Sequence, residues 1–243
     1  MIGNDERDGA LPWHLMLWRL LERALSVYER APGAFVGVTA LAYLPALVLE
    51  LANPPLQSWV LTLLYFVFSI GSLIVSSAGA TELVARVRRG ERPAAGDAIR
   101  AVMGSAAPLA VTCLVTGAVT AAGICLVIPG LVMVVLSTFA GPAVTQEGLQ
   151  GWEAVRRGRA LLADGRWLPV VGVLLTAAGT RLVLGMLPTL GLKVYLMFSH
   201  QMTPLLSGVI TLYDAALDIA LMSVIASWIG CAWFDLIEAV KAE

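Results

Sequence analysis

Four ionisable residues, Glu50, Arg181, Asp214 and Asp218, stand within or beside apolar stretches of this chain. Ser207, Thr211, Asp214 and Asp218 fall at i, i+4, i+7 and i+11, which puts them on one face of a helix. A charge in an apolar medium is costly and is kept for pairing or transport. Two carboxylates near an arginine there can bind a cation or relay a proton, and an Arg–Asp cluster is the arrangement these residues predict.

Other chemistries find no footing. Tyr213-Asp214 matches the first half of an intramembrane aspartyl protease site, but the partner Gly-x-Gly-Asp is missing. Two carboxylates one turn apart on one helix are also not the two-helix dyad that such chemistry needs. His14 and His200 are far apart and on opposite predicted sides, so neither a metal site nor a Ser–His–Asp arrangement assembles from them. No phosphate-binding glycine loop of the GxxxxGK[ST] kind is present. Cys113, Cys125 and Cys231 all lie in apolar segments without CxxC spacing, as small buried side chains do. No catalytic residue, metal or cofactor is expected.

The elements that must position these groups are membrane helices. Hydrophobic residues make up 58% of the 243 and charged residues 14%, with a mean hydropathy of +0.82, far from the composition of soluble domains. At roughly 20 residues per crossing the chain holds about six spans and little else. The expected fold is all-α: one integral membrane domain over 1–243, six transmembrane helices in three hairpins, each preceded by a cytoplasmic amphipathic helix.

Residues 1–11 read as a mixed, acidic lead-in and not as a secretory signal. Residues 12–30 form an amphipathic helix with Arg19, Glu22, Arg23, Ser26 and Arg30 as its polar stripe. It either lies in the membrane interface, with Trp13 and Trp18 at the headgroup level, or packs on the other helices; both bury the same face. Spans are expected near 34–52, 58–78, 106–127, 131–146, 167–187 and 217–237. The second should run on through Glu82, Arg86, Arg88 and Arg89 and stop at Gly90, with Asp97 as N-cap of a short helix over 98–103. Residues 188–204 become an outer connection. Because 203–240 is nearly twice one crossing, the sixth span could use either half. The densest apolar window, 219–234, favours the second, which leaves Asp218 interfacial and Asp214 in water.

Arginine sets the orientation. Arg19, Arg23 and Arg30 precede the first span; Arg86, Arg88, Arg89, Arg92 and Arg100 separate the second and third; Arg156, Arg157, Arg159 and Arg166 separate the fourth and fifth. By the positive-inside rule both termini are cytoplasmic. The set Arg19, Arg23, Arg86, Arg88, Arg89, Arg156, Arg157 and Arg159 is expected to face anionic lipid headgroups. Ala24, Ala98 and Ala154 begin comparable stretches of the three units, and Phe35, Leu109 and Leu168 enter the spans. Small residues at four-residue spacing (Ser72, Ser76, Ala80; Thr112, Thr116, Thr120; Gly172, Thr176, Thr180) predict close helix packing, mostly within one copy of the chain, with a homodimer seam as the other use.

The run Ile128-Pro129-Gly130, then Phe139, Pro142, Val144, Glu147-Gly148, Trp152-Glu153-Ala154-Val155-Arg156-Arg157 and Leu161-Leu162 resembles the membrane domain fused to some bacterial glycerophosphoryl diester phosphodiesterases, and its stand-alone relatives. The likeness is clearest over 85–175; one departure is Gly158, where relatives tend to carry serine. The resemblance implies a six-span domain of the bacterial cytoplasmic (inner) membrane, and it transfers no catalytic residue, because the phosphodiesterase chemistry belongs to a separate soluble domain. In the matched motif, Pro129 and Gly130 are expected to make a tight outer turn, Pro142 to end the fourth span, and Glu147 to cap or to pair with nearby arginines, with Gly148 ending that stretch.

The expected function is that of a non-enzymatic inner-membrane protein that organises or assists a membrane partner or a lipid-related process. Its partners are anionic lipids and a second membrane protein, without nucleic acid; the sequence leaves any homo-oligomer undetermined. The alternative is a transporter or channel built on Arg181, Asp214 and Asp218, and it gains if those carboxylates are buried on facing helices around a cavity.

Overall fold

A computed structural model describes residues 13–52, 59–124, 128–163, 167–198 and 203–242. Among these the chain is helical throughout, with no strand. Its helices are α1 (Trp13–Glu29), α2 (Pro32–Ala52), α3 (Trp59–Arg88), α4 (Ala95–Gly104), α5 (Ala106–Ile124), α6 (Ile128–Ser137), α7 (Ala140–Glu147), α8 (Trp152–Leu161), α9 (Trp167–Arg181), α10 (Leu187–Phe198) and α11 (Pro204–Ala242). A π-helical turn, Leu182–Met186, joins α9 to α10.

Four stretches are long and apolar enough to cross a membrane: Pro32–Leu49, Val67–Arg88, Trp167–Leu196 and Leu206–Glu238. A fifth arises if α4 and α5, which meet at 76°, count as one broken span. The chain is therefore a multi-pass candidate by length and composition, and the expected six-span count is larger than the four or five that the described residues supply.

Three of the expected spans take another form. The stretch 131–146 is not one helix: α6 ends at Ser137, and α7 begins at Ala140 after two intervening residues. Pro142 sits in the first turn of α7 and does not end a span, since a missing N–H is tolerated where the helix has no partner for it. Likewise Pro129 and Gly130 open α6 and do not form the turn before it; residues 125–127, with Cys125, lie outside the described residues. The 188–204 connection shrinks, because α10 carries the helix through Lys193 to Phe198. α11 is one helix of 39 residues, roughly 58 Å long at 1.5 Å per residue, so neither half of it is set aside as a loop.

The core forms around α3, which packs against α2, α5, α7 and α11. Ile74, Leu83, Val84, Phe35, Phe139 and Trp228 are fully enclosed there. Gly141 lets α7 lie on α3: a Cβ at that position would collide with the Ile74 carbonyl. Gly158 plays the same part for α8, where a Cβ would come within 2.6 Å of the Leu136 carbonyl oxygen. α3 ends as the sequence predicts, with Gly90 at φ 77°, a value that favours glycine.

The small-residue ridges divide. Ser72, Ser76 and Ala80 are buried, as are Thr112, Thr116 and Thr120. In the third ridge Thr176 is exposed and Gly172 and Thr180 only half-buried, and the two threonine hydroxyls donate to their own helix at 2.8 and 2.9 Å. Ala24, Ala98 and Ala154 are all buried at the matching point of α1, α4 and α8. Phe35 and Leu109 are buried too, whereas Leu168 is exposed. α1 packs on α11 through Leu20, Ala24 and Val27, and the Ser227 hydroxyl donates to the Ala24 carbonyl at 3.1 Å.

Candidate functional site

Arg181 ends α9 and reaches α11, where it meets both aspartates. Its Nη1 donates to Asp214 Oδ1 at 3.2 Å, its Nη2 to Asp218 Oδ2 at 3.3 Å, and its Nε pairs with Asp218 Oδ1. Tyr43 of α2 donates its hydroxyl to Asp218 Oδ2 at 3.1 Å. Three separate helices thus converge on one point. Asp214 is only 7% exposed, so the expectation of a water-exposed carboxylate is corrected: the continuous α11 carries Asp214 under α9, where protein and not solvent surrounds it. Glu50, the fourth candidate, lies in α2, and its side chain falls outside the described residues.

The local sequence explains the approach. The π-helical turn starts one residue after Arg181, a distortion that often accompanies functional sites. Within it Gly185 supplies the space, because a Cβ there would overlap the Arg181 guanidinium and meet Leu217 at 2.8 Å. Pro188 has no N–H for the Leu184 carbonyl four residues earlier; the Tyr213 hydroxyl supplies a donor to it at 3.3 Å. Thr189 serves the Gly185 carbonyl in the same way at 2.9 Å. Side-chain donors therefore hold the helix through a proline that would otherwise break it.

A cavity of about 280 Å³ opens beside the cluster, with Arg181 and Asp218 at its charged end and Tyr43, Tyr65, Leu174 and Met222 along its walls. The Ser69 hydroxyl lines it too, enclosed and without a hydrogen-bond partner among the described residues. One guanidinium faces two carboxylates, which leaves the cluster one formal negative charge in excess.

Along α11, Asp218 lies 17 residues before Asp235, which is roughly 26 Å at 1.5 Å per residue. Asp235 itself belongs to a second network, accepting from Arg23 at 2.7 Å and from Arg88 at 2.5 Å, while Arg88 also reaches Glu238 at 2.7 Å. The two charged groups are separated by about the thickness of a hydrocarbon core.

The arginines expected at lipid headgroups fall into two sets. Arg23 and Arg88 bind Asp235, Arg86 binds Glu82, Glu91 and Asp97, and Arg89 binds Glu82 and Glu91. Arg157 is held by Glu147, its Nε 2.8 Å from one carboxylate oxygen and its Nη2 2.8 Å from the other. These five meet protein carboxylates, Arg23 and Arg89 with more than half of the side chain exposed. Arg19, Arg156 and Arg159 have no carboxylate partner among the described residues. Asp97 is also not an N-cap: it lies in the first turn of α4, whose N-cap is Ala94, and pairs with Arg86 and Arg100. Outside the membrane helices, the hydrogen bond from Arg89 holds the Glu91 carboxyl below its ordinary value and raises Arg89 in turn.

Gly148 ends α7 in the left-handed conformation at φ 70° and Gly151 follows at φ 57°. The Gly151 amide donates to the Thr112 hydroxyl at 2.8 Å, joining this corner to α5. His14 lies in α1 with its side chain outside the described residues, as does the whole of His200. Among the described residues no group of three His, Cys, Asp or Glu side chains could hold a metal.

Sequence reasoning missed Tyr43, Gly185 and Ser69. Tyr43 carried a signal, a phenolic hydroxyl in the middle of a largely apolar helix, where such a group needs a partner. Gly185 and Ser69 carried none, since small residues in membrane helices serve packing first. Compared with known protein families, curated proteins and solved structures, the chain matches none of them.

Proposed function

We propose that this chain is a non-enzymatic, multi-pass protein of a bacterial cytoplasmic membrane, with both termini cytoplasmic, that moves a small cation, protons included, through the Arg181–Asp214–Asp218 site. The observation that carries the reading is one guanidinium facing two carboxylates, with Arg181 and Asp218 lining the cavity. A charge enclosed in low dielectric is expensive unless neutralised, so the site favours an arriving cation. Ser69 and the tyrosine hydroxyls add polar groups along the cavity, where a partly hydrated ion or a proton on water would pass. The test is flux into liposomes that hold the purified chain. Replacing Asp214 and Asp218 with Asn should abolish it, whereas flux that survives both replacements overturns the reading.

The second reading is the one the sequence alone favours, a protein that organises or assists a membrane partner. One observation supports it: α9, the π turn and α10 form a 30-residue apolar stretch, most of it not buried. Val183, Leu187, Leu190 and Tyr195 are exposed along it, and Leu212 and Tyr213 beside it on α11. A stretch of roughly 45 Å overruns a hydrocarbon core of about 30 Å, so part of this apolar face would need a protein neighbour. Kinship with the membrane domain of the glycerophosphoryl diester phosphodiesterases belongs to the same proposal, and rests on the 128–162 motif.

A further inference from the structure

The groove between α6, α8 and α9 is independent of the charge cluster and carries its own inference. Trp152, Arg156, Arg159, Ala160 and Ala163 recur at i, i+4, i+7, i+8 and i+11, so they share one side of α8 and its extension. They border a cavity of about 540 Å³ that is also lined by Leu136 and Val155. A second cavity of about 600 Å³ adjoins it through Leu136, Arg159 and Ala163 and is otherwise lined by Val132, Val135, Leu162, Trp167 and Val171.

The charge in this groove is unbalanced. Arg157, on the other side of α8, is clasped by Glu147, whereas Arg156 and Arg159 are exposed and meet no carboxylate among the described residues. Two half-exposed tryptophans, Trp152 and Trp167, flank them. Trp167 is also the first residue of an apolar stretch long enough to span, which puts it at the level where tryptophan marks the membrane interface. The groove therefore runs from two guanidinium groups without a carboxylate partner among the described residues, at headgroup height, to an aliphatic floor at acyl-chain depth.

We propose that this groove binds a glycerophospholipid with an anionic headgroup, its phosphate on Arg156 and Arg159 and one acyl chain over Val132, Leu136 and Val171. An arginine near an anionic headgroup is worth about a fivefold change in occupancy, so losing both should weaken retention roughly 30-fold.

The test is native mass spectrometry of the full chain released from bilayers of phosphatidylcholine mixed with phosphatidylglycerol. The unaltered chain should retain phosphatidylglycerol in preference. Joint replacement Arg156→Gln and Arg159→Gln should remove that preference, and Ala163→Phe, which keeps both charges but fills the groove, should remove it as well. Arg100→Gln, at an exposed arginine outside the groove, should leave it unchanged. Equal retention of both lipids overturns the proposal, as does full retention by Ala163→Phe, which would reduce the effect to surface charge. Displacement by inorganic phosphate alone, with no contribution from the acyl chain, identifies a free-phosphate site and overturns it too. If a variant does not fold, competition by a short-chain phosphatidylglycerol against a short-chain phosphatidylcholine on the unaltered chain decides between the same outcomes.

Discussion

The Tyr43 hydroxyl donates to Asp218 Oδ2 at 3.1 Å, and that carboxylate also pairs with Arg181. α2, α9 and α11 therefore meet at a single carboxylate, and a change in the charge of that carboxylate is felt by all three helices.

Removing the arginine should cost more than removing an aspartate. Arg181→Gln leaves two neighbouring carboxylates without their cation, and breaking such a pair costs about 3–5 kcal/mol. Asp218→Asn leaves one Arg–Asp pair of zero net charge and an amide oxygen that still accepts from Tyr43, and should lose less stability than Arg181→Gln. Thermal unfolding in a fixed detergent compares the two, and the opposite ranking counts against an excess negative charge. Tyr43→Phe should cost roughly 1.5–3 kcal/mol, the worth of a hydrogen bond to a charged group.

Gly185→Ala should behave like the loss of Arg181, because the added methyl takes the guanidinium's place. Residues in contact do not contribute additively. The double variant Gly185→Ala with Arg181→Gln should thus be little less stable than Arg181→Gln alone, as a double-mutant cycle measures. Full additivity would separate Gly185 from the cluster.

Arg157→Lys should fail to replace Arg157, since an ammonium cannot engage both oxygens of Glu147 as the planar guanidinium does. With both partners partly exposed, the expected loss is modest, about 0.5–1 kcal/mol. Chemical denaturation of Arg157→Lys and Glu147→Gln checks it, and both should lose similar amounts.

Glu91 should titrate below its ordinary value of 4.5, because the Arg89 hydrogen bond favours the charged carboxylate. A carboxyl with a lowered folded pKa contributes stability above its unfolded pKa and loses it as pH falls through the folded one. The Arg89–Glu91 contribution is thus complete at neutral pH and fades below about pH 4.5. Carbon-13 NMR of labelled glutamate reads the midpoint, and Arg89→Gln should move it upward.

Much of this arrangement is legible in the chain, and its gaps have physical causes. The helical register of Asp214 and Asp218 follows from their spacing, and the stop at Gly90 follows from glycine's freedom at positive φ. The continuity of 167–198 does not, because Pro188 signals a break and only tertiary contact shows Tyr213 and Thr189 supplying donors to the distorted turn. The burial of Asp214 was hidden for the same reason: a hydropathy window gives no account of the helix that will lie over it. The division of 131–146 into α6 and α7 leaves no strong sequence signal at Thr138, where the chain bends. The pairing of five arginines with carboxylates distant in sequence, such as Arg23 with Asp235, also lies beyond what the positive-inside rule can express.

The most direct test of the central claim is current measurement on liposomes adsorbed to a solid-supported membrane, stepped in turn through pH and through small cations. The account predicts a transient inward positive charge movement for at least one of these steps, abolished by Asp214→Asn with Asp218→Asn. Absence of any charge movement from the folded, unaltered chain across all the steps would contradict it.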